Sequence, residues 1–402
     1  MPKTVVLVGA IDTKGREFEY VKGLLNKRGL TTVVVDFGVM GDPVFAPDVL
    51  RAEVAAAGGG DLARLSTGEH KDEAMKAMAK GLAVVVRRLH DEGKLDGVIG
   101  MGGSGGTSIA TTAMRSLPVG VPKVMVSTMA GGDVSAFAGS KDITFMPSIV
   151  DVAGFNRISR RIYTNAAGAI AGMVETEVPA EADEKPLIAA SMFGNTTTAV
   201  DHAREILEGK GYEVLVFHAT GSGGRTMEEL ITDGYITALL DMTTTELADE
   251  VCGGVLSAGP ERCMAASKAG IPVLLVPGCV DMANFGGIDT VPEKYRSRLL
   301  YQWNPDVTLL RTNVEENQRI GELLAAAANA ATGPVKFLFP LGGVSMLDSV
   351  GHEFWDPEAD QTCFKTIEAN LRPDIPVIKM AENINDPAFP EHAVDTLLGM
   401  LP

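Results

Sequence analysis

A pattern that occurs twice places the strongest constraint on how this chain folds. Residues 5–38 (VVLVGAIDTKGREFEYVKGLLNKRGLTTVVVDFG) and residues 187–221 (LIAASMFGNTTTAVDHAREILEGKGYEVLVFHATG) can be laid over each other. Each gives an apolar run, a small polar turn, a helical pattern ending at Lys/Arg-Gly, and a second apolar run. Unbroken apolar runs are typical of parallel strands covered on both faces. The sequence therefore predicts an α/β fold with two Rossmann-like domains, mostly parallel sheets and an internal duplication.

The length of the chain agrees with two domains. At about 100 to 200 residues per domain, 402 residues exceed one ordinary core. The acidic, proline-bounded stretch EVPAEADEKP at residues 177–186 is the best linker candidate. We therefore place an amino-terminal domain at residues 1–180 and a carboxy-terminal domain at residues 186–402.

A glycine loop dominates the first half. In residues 95–112 (LDGVIGMGGSGGTSIATT) a short strand is followed by a run of glycines, after which Thr107 and Ser108 are predicted to cap a helix. Backbone N–H groups at a helix start favour a phosphate or a carboxylate. The loop is not a Walker loop, because no Gly-Lys-Ser/Thr ends it. The alternative is a tight strand-to-helix turn without a ligand.

Two further turns of the first half follow strands. Asp12 and Thr13 are expected to cap the first helix, whereas Lys14 opposes the helix dipole unless an anion or solvent accounts for it. A second glycine pair follows the strand at residues 122–127. The candidate cofactor-binding residues are Asp12, Thr13, Lys14, Gly102, Gly103, Ser104, Gly105, Gly106, Thr107, Gly131 and Gly132.

The second half supplies the candidate catalytic residues. His218 ends a predicted strand beside the glycines of residues 221–224, where it suits acid/base chemistry or a plain hydrogen bond at the sheet edge. Glu228 lies in the next helix and is either functional or a surface carboxylate. Asp241 follows an apolar strand and precedes three threonines, a set of hard oxygen ligands that suits Mg²⁺ with phosphate.

The same threonines also suit a helix cap, and Asp281 closes the loop after the next strand. The candidate catalytic residues are His218, Glu228 and Asp241, and the candidate substrate-binding residues are Thr220, Gly223, Thr243, Thr244, Thr245 and Asp281. Strands are also predicted at residues 307–311, 335–343 and 376–380, and their alternation with helices predicts that they continue a parallel sheet. Ligands of such sheets bind outside the carboxyl ends of the strands.

The net charge and the cysteines limit which classes of partner and which cellular compartment suit this chain. A formal net charge of -17 disfavours nucleic acid and anionic membranes, although a local helix start or metal ion still suits one anionic metabolite. The four cysteines show no CxxC spacing, which suits a reducing cytoplasm. The apolar run at the amino terminus spans about seven residues and is too short for a membrane span.

Eight motifs in order resemble one known family. They are GAIDTKGREFEY, IGMGGSGGTS, NRISRRIYTNAAGAIAGM, FHATGSGGRTMEELI, LDMTTTELAD, VPGCVDMANFGG, LLRTNVEEN and FPLGGVSMLDSVG. The chain resembles uncharacterised protein family 0261, relatives of the ATP-binding amino-terminal region of the tomato mosaic virus resistance protein. The resemblance implies binding of ATP with Mg²⁺, a homodimer, and in bacteria a separate TIM-barrel protein as companion. Trp303 stands where the family commonly has a histidine before Asn-Pro.

Three functions remain open on the sequence. The first is an enzyme or enzyme component that uses ATP and Mg²⁺ on a small anionic metabolite held between the two halves. The second is a non-catalytic module in which the nucleotide controls a protein contact. The third is a protein that binds phosphate or a sugar acid without a nucleotide.

Overall fold

The structure is a computed structural model that describes residues 2–179 and 184–402. The chain forms two compact units, Met1–Ala180 and Glu181–Pro402. Of the linker candidate at residues 177–186, residues 180–183 lie outside the described residues. Each unit is described by itself below.

The amino-terminal unit is an α/β layer structure. Its strands are β1 (Thr4–Gly9), β2 (Thr31–Asp36), β3 (Gly97–Gly102), β4 (Lys123–Ser127) and β5 (Thr144–Pro147). Its helices are α1 (Ile11–Lys27), α2 (Arg51–Ala57), α3 (Leu62–Leu65), α4 (Lys71–Asp91), α5 (Ser104–Arg115), α6 (Ser135–Ala138) and α7 (Arg157–Glu175). The strands are parallel, in the order β2-β1-β3-β4-β5.

Helices cover both faces of this sheet, as the apolar strands require. Phe18 of α1 and Ile170 of α7 pack with Ile99 of β3 on one face. Residues of α4 and α5 pack on the other face, where Val85 and Met114 belong to one buried cluster. Helix α2 lies so close to α4 that a Cβ atom on Gly81 would be 1.8 Å from the backbone oxygen of Val54.

The carboxy-terminal unit repeats this arrangement. Its strands are β6 (Leu187–Met192), β7 (Glu213–His218), β8 (Ala238–Asp241), β9 (Val273–Leu275), β10 (Met282–Phe285), β11 (Leu300–Asn304), β12 (Val307–Arg311), β13 (Val335–Pro340) and β14 (Val377–Met380). Its helices are α8 (Thr197–Gly209), α9 (Ser222–Thr232), α10 (Thr245–Cys252), α11 (Met264–Ala269), α12 (Val314–Asn329), α13 (Pro357–Asn370) and α14 (Ala388–Leu398), with single 3₁₀ turns at Gly194–Thr196, Ile288–Thr290 and Glu293–Tyr295.

The main sheet of this unit is parallel, in the order β14-β13-β9-β8-β6-β7. Its strands β7-β6-β8-β9 follow the same order as β2-β1-β3-β4 of the first sheet. Two units with the same strand order are what the duplicated sequence pattern predicts. The predicted fold class, two α/β domains with mostly parallel sheets, is confirmed.

The prediction that residues 307–311 continue a parallel sheet is wrong. Strand β12 pairs antiparallel with both β10 and β11 in a separate small sheet. The chain reverses sharply between β11 and β12, where the backbone N–H of Asp306 donates a hydrogen bond of 2.8 Å to Oδ1 of Asn304. A turn this short joins antiparallel strands only, since a parallel crossover needs a dozen or more residues.

In each main sheet, the connections that follow two neighbouring strands run in opposite directions along the sheet. This topological switch point lies between β1 and β3 in the first sheet and between β6 and β8 in the second. Open α/β sheets bind ligands in the crevice at such points. No helix within residues 2–179 and 184–402 combines the length and the apolar character that a membrane span needs.

Candidate functional site

A cavity of about 200 Å³ lies at the switch point of the amino-terminal sheet. The turn after β1 lines it with Asp12, Thr13 and Lys14, and the start of α5 lines it with Gly105 and Gly106. The remaining lining is mostly apolar and consists of Ala10, Phe37, Gly38, Val39, Met40, Met75, Met101 and Ile109. Two segments that are about ninety residues apart in the sequence therefore meet where the fold favours a ligand.

The helix after the glycine loop begins earlier than predicted. Gly103 is the residue before α5, and Ser104 is the first residue of the helix, so Thr107 and Ser108 do not cap it. The backbone N–H of Thr107 is already bonded to the oxygen of Gly103 at 2.8 Å. The earlier N–H groups, those of Ser104 to Gly106, belong to the first turn, where no intrahelical acceptor exists.

Thr107 lies beneath this helix start and does not line the cavity. Its side chain is buried and its Oγ1 is 2.6 Å from Oγ of Ser127 at the end of β4. Gly102 is also buried, and a Cβ atom there would lie 3.1 Å from Cα of Gly106. Thr107 and Gly102 pack the turn against the sheet. Gly105 and Gly106 are the residues of this turn that line the cavity.

Asp12 has a different role from the predicted helix cap. Helix α1 has no side-chain cap, and Oδ2 of Asp12 instead accepts hydrogen bonds from the backbone N–H groups of Met40 (2.8 Å) and Gly41 (3.2 Å). The side chain is 1% exposed, and its Oδ1 has no hydrogen-bond partner among the described residues. Asp12 therefore fixes the loop after β2, and its Oδ2 lies 4.0 Å from Nη1 of Arg51, whereas its buried Oδ1 accepts no hydrogen bond from the described residues.

Lys14 interrupts the first turn of α1, with φ −130° and ψ 16°. Its Nζ donates a hydrogen bond to the backbone oxygen of Val152. An ammonium group has three donors, so this bond leaves two for a ligand. The lysine is therefore anchored at the edge of the cavity.

Gly131 and Gly132 lie outside the cavity lining. They form an exposed turn after β4, and the N–H of Gly132 bonds to the oxygen of Met129 at 3.1 Å. The same loop approaches the glycine run through Thr128, whose N–H donates to the oxygen of Gly102 at 3.2 Å. A direct contact of these two glycines with a ligand stays a prediction.

In the second unit, Asp241 belongs to an ion-pair network centred on Arg262. Both residues are buried, and the guanidinium Nη1 and Nη2 lie 2.6 Å and 2.7 Å from the two carboxylate oxygens. Ser191 also donates a hydrogen bond of 2.6 Å to Oδ1 of Asp241. This placement argues against Asp241 as a catalytic group or as a magnesium ligand, because a buried guanidinium already occupies both of its oxygens.

Glu228 and Glu246 belong to the same network. Nη1 of Arg262 lies 3.2 Å from Oε1 of Glu228, and its Nε lies 2.6 Å from Oε2 of Glu246. Glu228 also accepts hydrogen bonds from the backbone N–H groups of Cys263 and Ala265. Burial raises the pKa of Glu228, against the lowering effect of Arg262. The predicted catalytic glutamate is thus a half-buried acceptor that holds the start of α11.

The glycine loop after β7 already holds an anion from the chain itself. Oε1 of Glu246 accepts hydrogen bonds from the N–H groups of Gly221 (2.7 Å) and Gly224 (3.1 Å). A Cβ atom on Gly223 would lie 1.9 Å from the backbone oxygen of His218, so this position requires glycine. The loop that is predicted from the sequence to bind a substrate therefore binds the carboxylate of Glu246 instead.

The three threonines are buried and bonded to protein atoms. Thr243 Oγ1 lies 2.7 Å from Thr196 Oγ1, Thr244 Oγ1 is 3.4 Å from the oxygen of Val276, and Thr245 Oγ1 donates to the oxygen of Met282 at 3.0 Å. These contacts account for every threonine hydroxyl without a substrate. No group of three or more His, Cys, Asp or Glu within the part of the chain that the structure describes is placed to hold a metal ion.

Asp281 is also buried, and it faces other charges rather than a cavity. Ser345 donates to its Oδ2 at 2.8 Å, and Asp348 and Arg311 are its charged neighbours. Burial raises the pKa of Asp281, and the nearby carboxylate of Asp348 raises it further. The arrangement is an internal charge cluster of Asp281, Asp348 and Arg311.

His218 and Thr220 line a cavity of the carboxy-terminal unit. This second cavity, of about 350 Å³, lies at the carboxyl ends of β6 and β7 and also includes Phe193, Asn195 and Trp303. In the sequence, Trp303 is notable only as a departure from the family pattern, and Asn195 is not singled out. The one available signal is position, since Asn195 lies in the turn directly after the first strand of its half, as Asp12 does in the other.

Fold and crevice together define a class: a two-domain α/β protein whose amino-terminal sheet carries a crevice lined by glycines at its switch point. Residues 3–179 match the model of the uncharacterised protein family UPF0261 amino-terminal domain, and residues 185–401 match that of its carboxy-terminal domain. The chain therefore belongs to the UPF0261 family.

Relatives in bacteria and plants agree with this assignment. A UPF0261 protein of Clostridium tetani is 48% identical over 402 residues, covering 100% of both chains. The ToMV resistance protein Tm-1(GCR237) of Solanum lycopersicum is 37% identical over 426 residues, covering 99% of this chain and 56% of the tomato protein. A solved structure of UDP-N-acetylglucosamine 2-epimerase is 12% identical, covers 69% of this chain and 79% of its own, and has a TM-score of 0.25, too low to carry any argument.

Proposed function

We propose that this protein binds ATP with Mg²⁺ at the carboxyl edge of its amino-terminal sheet, as an enzyme or enzyme component acting on a small anionic metabolite. The observation that carries the proposal is the cavity between β1 and β3, where the starts of α1 and α5 meet. Different parts of this cavity suit the phosphates, the base and the metal ion of a magnesium nucleotide.

The phosphates would lie against the glycine start of α5. Gly105 and Gly106 have no side chain to cover their N–H groups, and the helix dipole adds partial positive charge at this end. Lys14 supplies a full positive charge at the same edge of the cavity. Because the whole chain carries a net charge of -17, attraction of a polyanion must come from such local groups.

The apolar part of the cavity suits the base. Val39, Met40, Met75 and Ile109 supply apolar lining. Methionine side chains are flexible and polarisable, so they adapt well to a flat ring. At about 200 Å³ the cavity is smaller than the roughly 300 to 1,000 Å³ usual for small-molecule sites, so part of a nucleotide would lie outside it.

Asp12 is the residue that fits Mg²⁺. Its Oδ1 is buried and lacks a partner within the described residues, and the residue lines the cavity. Magnesium commonly takes one or two carboxylates together with phosphate oxygens and water. When bound, the ion would neutralise phosphate charge, while Asp12 fixes its position and Lys14 and the α5 amides orient the phosphates. Asp241 with Thr243 to Thr245 does not fit the ion, because protein atoms already satisfy these side chains.

One observation favours the non-catalytic alternative, a nucleotide-controlled binding module. The acidic side chains that the sequence offers for catalysis, Asp241 and Glu228, are paired with Arg262. The tomato relative is named for resistance to a virus, which describes that protein and is compatible with a role in protein contacts. Binding of phosphate or a sugar acid without a nucleotide is the third possibility, and it requires only the α5 start and Lys14.

Turnover and binding measured together separate these functions. ATP affinity is measured by equilibrium dialysis, and phosphate release is measured with and without a panel of small carboxylic acids. The enzyme proposal predicts release that depends on one of the acids. Tight ATP binding without release under any condition supports the module, and binding of phosphate but not ATP supports the third possibility.

A further inference from the structure

The second cavity is an aromatic pocket, which we define by Phe193, Asn195, His218, Thr220, Leu256 and Trp303. It lies within the carboxy-terminal unit, at the carboxyl ends of β6 and β7, with a volume of about 350 Å³. Its volume falls within the roughly 300 to 1,000 Å³ that small-molecule sites occupy. The nucleotide site proposed above belongs to the other unit, so nothing in that proposal accounts for this pocket.

The aromatic rings of the pocket are held in place by the fold. The rings of Phe193 and His218 make an edge contact with centroids 5.6 Å apart. Trp303 of β11 packs against Tyr301, with centroids 6.3 Å apart, and its Cζ2 would lie 4.0 Å from a Cβ atom on Gly194. Trp303 is nevertheless 43% exposed. Neighbouring residues hold this large ring in place, and part of the ring stays exposed. It therefore offers a face on which a flat ligand stacks.

Asn195 is a second, independent feature of the aromatic pocket that favours a ligand. Its side chain is 2% exposed, and its Oδ1 has no hydrogen-bond partner among the residues that the structure describes. The other end of the amide, Nδ2, faces only the sulfur of Met282 at 3.3 Å, which is a weak acceptor. A buried amide oxygen without a donor costs free energy, so a donor supplied by a ligand would be strongly favoured.

The lining of the pocket favours an uncharged ligand. The described side chains around the pocket include no Asp, Glu, Lys or Arg, and apolar Leu256, Val307 and Leu309 complete the wall. His218 is the one titratable group among them, and its residue is exposed. A carboxylate or phosphate in this pocket would find no permanently charged partner, whereas one at the α5 start would find Lys14.

We propose that the aromatic pocket binds an uncharged planar ring that carries a hydrogen-bond donor. The ring stacks on Trp303 beside Phe193 and His218, and the donor bonds to Oδ1 of Asn195. The ligand class is therefore that of aromatic amides and amino-substituted heterocycles. The chain thus has a second ligand site whose chemistry differs from that of the phosphate-binding crevice.

Three small probes of similar size test this assignment on the full chain. Benzamide has the flat ring and the donor, methyl benzoate keeps the ring but lacks the donor, and cyclohexanecarboxamide keeps the donor but is not planar. Binding is followed by ligand-observed saturation-transfer NMR. In parallel, the two tryptophan indole N–H signals of labelled protein are recorded, with Trp303 and Trp355 distinguished by Trp355→Phe.

Benzamide is expected to bind with a dissociation constant of about 10 mM or tighter, as befits so small a ligand, and to shift the Trp303 signal. Methyl benzoate should bind about fivefold more weakly, and cyclohexanecarboxamide should not shift Trp303. Trp303→Leu should abolish benzamide binding. Gln302→Ala, at the neighbouring position of the same strand, should bind benzamide as the wild type does.

Three results would overturn the proposal. They are the absence of saturable benzamide binding, equal binding of benzamide and cyclohexanecarboxamide, and benzamide binding that survives in Trp303→Leu. Circular dichroism of each variant shows that it is folded. ATP affinity measured on the same samples keeps this outcome separate from the nucleotide proposal, since Trp303 does not line the amino-terminal cavity.

Discussion

Arg262 makes two parallel hydrogen bonds to the carboxylate of Asp241, with Nη1 to Oδ2 at 2.6 Å and Nη2 to Oδ1 at 2.7 Å. Both side chains are fully buried. The same guanidinium also binds Glu246 through Nε. One arginine thus ties the end of β8 to the first turn of α10, and this pairing determines how the acidic residues near the sheet edge are used.

Loss of this arginine should destabilise the carboxy-terminal unit strongly. Arg262→Met leaves Asp241 and Glu246 buried without a counter-charge, and breaking a buried pair in this way costs about 3 to 5 kcal/mol. Unfolding in urea, monitored by circular dichroism, measures the change.

The matched control is Arg204→Met, which breaks the pair of Arg204 and Asp201 at 3.3 Å. Both side chains of that pair are over 40% exposed, so its loss should cost less than about 1 kcal/mol. Equal stability of Arg262→Met and Arg204→Met would contradict the structural role of Arg262.

Asp249 should make stability depend on pH. Burial raises the pKa of Asp249 to about 7, although the amide of Asn284 and the backbone N–H groups of Asn284 and Leu256 lower it. An unfolded aspartate titrates near 3.9, so the folded state holds the proton between these values. The stability that the proton contributes is full below about pH 4 and is lost as the pH rises to about 7.

Asp249→Asn should flatten this dependence. The pKa difference of about 3 corresponds to an upper limit of about 4 kcal/mol between pH 4 and pH 7. The unfolding free energy of wild type and variant, measured by urea titration at several pH values, should differ in slope over that window. Parallel pH curves for the two proteins would show that Asp249 is not the group responsible.

Sequence patterns predicted the fold well because the relevant signals are local. Apolar runs mark the buried strands, and small residues mark the turns after them, so the two α/β units could be predicted. The parallel strand predicted at residues 307–311 failed because its partner is fixed by the tight turn at residues 304–306, where Asp306 bonds to Asn304. Local sequence patterns predict that a strand forms, but they do not predict the strand with which it pairs.

The site was only partly predictable for a related reason. The meeting of Lys14 with Gly105 follows from strand order, so the sequence could place both at one crevice. Pairing of Asp241 with Arg262, 21 positions later, depends on where the loop before α11 folds back, and no motif signals it. Carboxylates that looked available for catalysis are therefore occupied, whereas Trp303 and Asn195 gained importance only from their neighbours in space.

Lys14 should contribute to nucleotide affinity. Lys14 lines the amino-terminal cavity, and a charge-assisted hydrogen bond from its ammonium group to phosphate would be worth about 1.5 to 3 kcal/mol. Lys14→Ala should therefore weaken ATP binding by at least about tenfold in equilibrium dialysis. Lys27→Ala, which removes an exposed lysine at the other end of α1, is the control. Equal ATP affinities of the two variants would exclude the assigned role of Lys14.

The most direct test of the nucleotide site is ATP binding by Gly105→Ala/Gly106→Ala. An added Cβ would be in ordinary contact, 3.6 Å from Cε of Met75 at Gly105 and 3.8 Å from the oxygen of Met101 at Gly106. Alanine favours helix by about 0.5 to 1 kcal/mol over glycine, so the variant should be at least as stable as the wild type. The new methyl groups nevertheless enter the surface proposed to bind phosphate.

Calorimetry of ATP with Mg²⁺ should show affinity reduced by at least about tenfold in this double variant. Gly168→Ala in α7, where a Cβ meets nothing within 4 Å, should bind ATP as the wild type does. ATP affinity of the double variant equal to that of the wild type would contradict a nucleotide site at the start of α5.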